Sequence, residues 1–290
     1  MTWKTILVPF VEEETARAGF AAAAVFAKKF NAHIVALHLR QRPMPTQAVY
    51  FPLGGAFPPD DDDAFKQAED AHAAQLHQLF DDLCDEHKVG IVAMEKHKSS
   101  MDATASWRDE KGDLPTAYAK AGAGFDLIAT MKPTTRDAYF QSRLVEELLF
   151  RSGRPVLLCP KMGMPSFPAR AALAWNGSAE AASAVSAASP VLSAAETVRI
   201  LSVSESPEQE ASIDDLSTGL RLQGVNAAAS EIGLEKGVDA QDALMKRFAG
   251  AEVDLVIMGA YSHSRWRQAM LGGLTRAMIY ESETPVLMKR

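Results

Sequence analysis

Residues 259–276, Gly-Ala-Tyr-Ser-His-Ser-Arg-Trp-Arg-Gln-Ala-Met-Leu-Gly-Gly-Leu-Thr-Arg, gather the groups best suited to holding a small anion. Gly259 follows the apolar run 254–258 and lets bare backbone approach a ligand at a strand tip. Gly272 and Gly273 place unhindered N–H groups at the start of the next helix, where the helix dipole favours negative charge. Arg265 and Arg267 add positive charge, although each also suits a solvated loop. Such a helix start contributes about 0.3–2 kcal/mol, whereas micromolar affinity needs about 8, so ring burial or arginine ion pairs must supply the rest.

Other candidates for chemistry are weaker. His263 lies in the same stretch, but no nearby acid orients it and no nucleophile stands beside it, so it reads as a surface residue. His72 and His77 lie five apart and miss the i, i+4 spacing that lets one helix face share a metal. The run 60–63, four aspartates, reads as the acidic start of a helix and lacks the glycine turn and spaced oxygens of a calcium loop. Cys84 and Cys159 form no CxxC pair and read as buried apolar residues of a reducing compartment. Trp107-Arg108 and Gly112-Asp113 read as a helix cap or loop brace. There is no Walker A sequence, no G-x-S-x-G elbow and no strand-linked G-x-G-x-x-G, so a catalytic assignment has little support.

The elements that must position the glycine stretch repeat along the chain. Apolar runs at 5–10, 33–39, 91–94, 126–130 and 155–159 read as strands, with helices expected at 13–30, 60–88, 114–121 and 138–150. Pro43, Pro45, Pro52, Pro58 and Pro59, with Gly54 and Gly55, mark 41–59 as a loop without regular structure. After the proline-rich stretch 160–168, strands are expected at 171–175, 198–203, 225–232, 254–258 and 285–288. Helices are expected at 178–194, with Pro190 as a kink, and at 213–222, 238–248 and 274–280. Alternating strands and helices predict an α/β fold of two Rossmann-like domains, each with a five-stranded, mostly parallel sheet flanked by helices. Asp126-Leu-Ile aligns with Asp254-Leu-Val, and Pro155-Val-Leu-Leu with Pro285-Val-Leu-Met. The expected division is 1–160, a linker at 161–169, and 170–290.

The spacing in the glycine stretch resembles the nucleotide loop of the universal stress protein family, G-x2-G-x9-G-[ST]. Gly259 and Gly272 take the first and last glycine places, Ser262 the middle one, and Gly273 the final Ser/Thr place. Trp175-Asn-Gly-Ser178 resembles the family's V-D-G-S turn, and 285–288 its final strand. The resemblance implies a tandem universal stress protein binding ATP or another adenine nucleotide, with magnesium as an optional companion, through Asn176, Val203, Gly259, Ser262, Arg265, Arg267, Gly272, Gly273 and Leu274. Asn176 stands where the family has an acid, and strand alternation sends Trp175 into the core rather than under an adenine. In the first half, Pro9-Phe10-Val11 replaces the family's P-T-D and 131–143 lacks the glycines, so that half is expected to have a degenerate site.

The resemblance also implies that 155–159 and 285–288 pair between the halves, making an intramolecular pseudo-dimer compatible with further homodimerisation. The expected function is a stress-response sensor or adaptor, more a non-enzyme than an enzyme, with a nucleotide ligand and room for a protein partner. A ligand-free interaction scaffold and a slow nucleotide hydrolase are the alternatives. The balance of 30 basic and 37 acidic residues, net −7, argues against nucleic-acid binding. No apolar run is long enough for a signal peptide or a membrane span, so a cytoplasmic location is expected.

Overall fold

The computed structural model describes residues 2–40, 50–51, 55–56, 62–112, 115–134, 139–202, 207–232, 240–250, 252–261 and 273–290. The first half runs β1 (Thr5–Pro9), α1 (Glu13–Phe30), β2 (His33–Arg40), β3 (Tyr50–Phe51), β4 (Gly55–Ala56), α2 (Asp62–Glu86), β5 (Gly90–Ile91), β6 (Thr104–Lys111), α3 (Thr116–Gly122), β7 (Leu127–Met131), α4 (Tyr139–Arg151) and β8 (Val156–Cys159). The second runs β9 (Arg170–Ala174), α5 (Ala179–Ala187), α6 (Ser189–Ala194), β10 (Thr197–Ser202), α7 (Pro207–Leu222), β11 (Ala227–Glu231), α8 (Ala240–Phe248), β12 (Leu255–Gly259), α9 (Gly273–Tyr280) and β13 (Val286–Lys289).

The larger sheet has eleven strands in the order β11-β10-β9-β12-β13-β8-β7-β1-β2-β6-β5. Every pairing in it is parallel except β13 with β8, where Val286 faces Leu158, Leu287 faces Leu157 and Met288 faces Val156. The final strands of the two halves therefore join the sheet across a local two-fold centred on Leu157 and Leu287. Their side chains are fully or almost fully buried on both faces, which is why these strands read as unbroken apolar runs.

One device recurs where each half begins. Asp126 Oδ2 accepts hydrogen bonds from Lys4 N at 2.8 Å, Thr5 N at 3.0 Å and Thr5 Oγ1 at 3.1 Å, tying the start of β1 to that of β7. Asp254 Oδ2 likewise accepts from Ala169 N at 3.1 Å and Arg170 N at 2.9 Å at the start of β9. The Arg170 guanidinium hydrogen-bonded to Asp254 holds that carboxyl below its ordinary pKa.

Several expectations need correction. The first half contributes six strands to the sheet rather than five, because β6 lies between β2 and the two-residue edge strand β5. Trp107-Arg108 belongs to β6 and is neither cap nor brace. The expected strand 91–94 is reduced to β5, and Met94–Lys96 form a 3-10 turn. Within 41–59, Tyr50–Phe51 and Gly55–Ala56 pair as a short antiparallel hairpin, and the rest lies outside the described residues. The helix expected over 178–194 breaks at Ala188, because Pro190 lacks an N–H and begins a second helix instead. Residues of the stretch 161–169 pack against α1: Met164 is buried, Phe167 meets Phe26 edge-on at 5.3 Å, and Lys161 pairs with Glu14.

Candidate functional site

Parallel strands deliver their carboxyl ends, and the starts of the helices that follow, to one edge of the sheet. In the second half Met258 pairs with Ala174 and Leu201 pairs with Ala174 from the other side. Gly259, Trp175-Asn176 and Ser202 therefore leave the sheet side by side. Trp175 N donates to Leu201 O at 2.9 Å, as Phe10 N donates to Leu37 O at 2.8 Å in the first half.

Asn176 opens the turn into α5. Its Oδ1 accepts from Ser178 N at 3.2 Å, Gly177 takes the left-handed conformation at φ 70°, and Ser178 Oγ caps the helix by accepting from Ala181 N at 3.1 Å. Trp175 points the other way, packs on the core and donates its indole N–H to Ser212 Oγ at 3.0 Å, as strand alternation predicts. Gly259 is bare because a Cβ there would lie 2.6 Å from Ala181 N and 2.6 Å from the Glu180 carbonyl carbon. The backbone that approaches this strand tip in the described structure is thus the protein's own α5. Gly273 begins α9, and the Gln241 carboxamide oxygen from the start of α8 lies where its Cβ would stand. Leu274 packs on the hydrophobic core beneath α9. Val203, Ser262, Arg265, Arg267 and Gly272, with His263, lie outside the described residues.

The corresponding tips of the first half are occupied by polar side chains of the protein itself. His38 Nδ1 donates to Phe10 O at 3.0 Å and His72 Nε2 donates to Val11 O at 2.9 Å. Tyr118 Oη donates to Phe10 O at 3.3 Å and accepts from Leu39 N at 3.2 Å. Burial lowers the pKa of His38, so its imidazole is held neutral. His77 stacks on Trp107 at 5.0 Å, and among the described residues no three His, Cys, Asp or Glu side chains are grouped to hold a metal. Cys84 and Cys159 are buried free thiols, each pushed up to about 12 chiefly by burial, and so are poor nucleophiles.

Clefts open elsewhere. One of about 580 Å³ lies between β10, β11 and α8 against Arg199, Leu201, Lys246 and Arg247, and one of about 650 Å³ lies between α5, α6 and α7 over Trp175. A third, of about 670 Å³, runs along α1 beside Met164 and Phe167. Asn176, Gly259 and Gly273 line none of these three.

The fold and site together define a class: two Rossmann-like α/β halves sharing one mostly parallel sheet, with candidate ligand groups at the carboxyl ends of the second half's strands. No protein-family model matches the sequence, and a comparison with curated proteins gives no match. Solved structures do match. A universal stress protein from Archaeoglobus fulgidus DSM 4304 is 17% identical, with a TM-score of 0.71, over 99% of this chain and 98% of that one. A functionally unknown protein from Pseudomonas aeruginosa PAO1 is 16% identical, with a TM-score of 0.55, over 99% of this chain and 92% of its own. The cytoplasmic domain of a prokaryotic cation chloride cotransporter is 13% identical, with a TM-score of 0.52, over 99% and 95%. The chain has the universal stress protein fold, and that fold also serves in a transporter's cytoplasmic domain.

Proposed function

We propose that the chain is a non-catalytic stress-response sensor or adaptor that binds an adenine nucleotide, ATP first, through the loop and helix following β12. The observation that carries this reading is an asymmetry between the two strand-to-helix connections. At the carboxyl edge of the second half, glycines stand at the strand tip and the helix start, Gly259 against the backbone of α5 and Gly273 against the Gln241 side chain. The first half has Met131-Lys132 at the matching tip and fills its edge with His38, His72 and Tyr118. Helix starts and bare amides suit phosphate oxygens, and the exposed polar turn at Asn176 suits ribose hydroxyls. A magnesium ion would be held mainly by the phosphates, since Asn176 supplies no carboxylate there. The proposed division is a site-bearing second domain, 170–290, and a degenerate first domain, 1–160, in one tandem chain. Two free buried thiols and a net charge of −7 accord with a reducing cytoplasm and with no nucleic-acid partner. No described helix is long and apolar enough to cross a membrane.

A second reading, a ligand-free scaffold, draws on the contacts at the same positions. Glu180 and Ala181 lie against Gly259, Ser178 N bonds Asn176, and Gln241 lies against Gly273. Calorimetric titration of nucleotide-stripped protein with ATP, ADP and AMP separates the two. Saturable binding that Gly272→Val abolishes, with the fold intact, supports the sensor; no heat with any of the three supports the scaffold.

A further inference from the structure

The first half keeps its own version of the connection after the fourth long strand, and Lys132, which opens it, is aimed at the second half. Lys132 N donates to Cys159 O at 2.8 Å, just as Ala260 N donates to Lys289 O at 2.9 Å in the other half. From there Lys132 Nζ reaches across and donates to Met278 O at 2.7 Å, Ser282 O at 2.8 Å and Thr284 O at 2.6 Å. These carbonyls lie in the last turn of α9 and the segment after it, where a helix leaves acceptors without partners inside itself. Three acceptors take three N–H groups, which an ammonium has and a neutral amine lacks, and positive charge suits the negative end of the helix. Burial lowers the Lys132 pKa to about 7, and the nearby Glu283 carboxylate partly offsets this by favouring the charged form.

A second contact grips the other end of the same segment. Tyr261, two residues past the tip of β12, stacks on Phe150 of α4 with ring centroids 4.6 Å apart and planes 29° apart. The Arg290 guanidinium covers the same ring at 4.4 Å. Tyr261 has φ 58°, a left-handed conformation that a bulky side chain seldom adopts unless its surroundings impose it. The residues just before the 262–272 stretch and the helix just after it are thus both held by the first half.

We infer that the first half is a positioning element for the site-bearing edge of the second: Phe150 holds Tyr261 just past the tip of β12, and Lys132 holds the end of α9. The inference takes its ligand from the nucleotide reading above, but the clamp itself can be measured without any ligand. It gives a half without a glycine loop a defined task.

The test uses the full chain with Phe150→Ala, Phe150→Tyr and Lys132→Met, reading hydrogen exchange and ATP affinity. Phe150 is 43% exposed, so its truncation leaves the fold in place even if Lys132→Met does not fold. Phe150→Ala is expected to speed amide exchange at 259–261, and Lys132→Met that in 273–280, each by about tenfold, and each to weaken ATP binding by about fivefold, while Phe150→Tyr keeps exchange and affinity near wild type. Unchanged exchange at 259–261 for folded Phe150→Ala overturns the clamp. Faster exchange with unchanged ATP affinity overturns its positioning role. Faster exchange in a chain whose wild type binds no ATP keeps the clamp and removes the nucleotide reading.

Discussion

Gly259 and Gly273 flank the candidate loop, and substituting each by alanine should have opposite consequences. A Cβ at Gly259 would lie 2.6 Å from two backbone atoms of α5, where ordinary contact begins near 3.4 Å, so the start of α5 must withdraw by about 0.8 Å. Backbone cannot swing aside as a side-chain tip can. Overpacking of this kind costs about 1–3 kcal/mol, and the upper part applies here; the loss of glycine's freedom in the unfolded chain returns about 0.4–1 kcal/mol. The net expectation for Gly259→Ala is about 1.5–2.5 kcal/mol, or a melting temperature lower by about 3–10 °C. At Gly273 the obstructing atom is the Gln241 carboxamide oxygen, the far end of a flexible side chain, so Gly273→Ala should stay within about 1 kcal/mol of wild type. Urea unfolding followed by circular dichroism reads both, with the denaturant slope checking that the unfolded reference is unchanged. A Gly259→Ala protein as stable as wild type would refute the packing of this strand tip against α5. In the sensor reading, Gly273→Ala weakens ATP binding without that loss of stability.

Further outcomes follow from the paired aspartates and the buried histidines. Asp126→Ala and Asp254→Ala each strand backbone N–H groups of the opening strand, so each should cost about 2–3 kcal/mol in urea unfolding; an effect below about 0.5 kcal/mol for both would refute the shared anchoring role. His33 bonds Thr104 Oγ1 at 2.7 Å and Ser106 Oγ at 2.9 Å, and burial, with smaller repulsion from His97 and Arg108, lowers its pKa to about 4. The unfolded chain therefore binds the extra proton first, so stability should fall as pH drops from about 6.5 to about 4, with Gln at position 33 flattening the curve. An identical pH curve for His33→Gln would contradict this.

Much of the fold is legible in the residues, for reasons that also explain the misses. β1, β7, β8, β12 and β13 are buried on both faces, so their sequences are apolar runs that announce themselves. β6 does not, because Arg108 to Lys111 extend past the short β5 toward solvent and carry charge where an inner strand carries valine or leucine. The Asn-Gly-Ser turn is readable because each residue has one job: Asx acceptor, left-handed glycine and helix cap. Gly259 is readable as a close approach, but the sequence gives no sign that α5 makes it. Lys132 and Tyr261 escape notice because they act on the other half of the chain, at separations no local pattern records.

The most direct measurement is native mass spectrometry of the full chain freshly purified from cells, compared with Gly272→Val prepared alongside. One adenine nucleotide retained per chain in the wild type, and none in the variant, is the expected result. A wild-type mass equal to the bare chain, with no adduct on adding ATP, would contradict it.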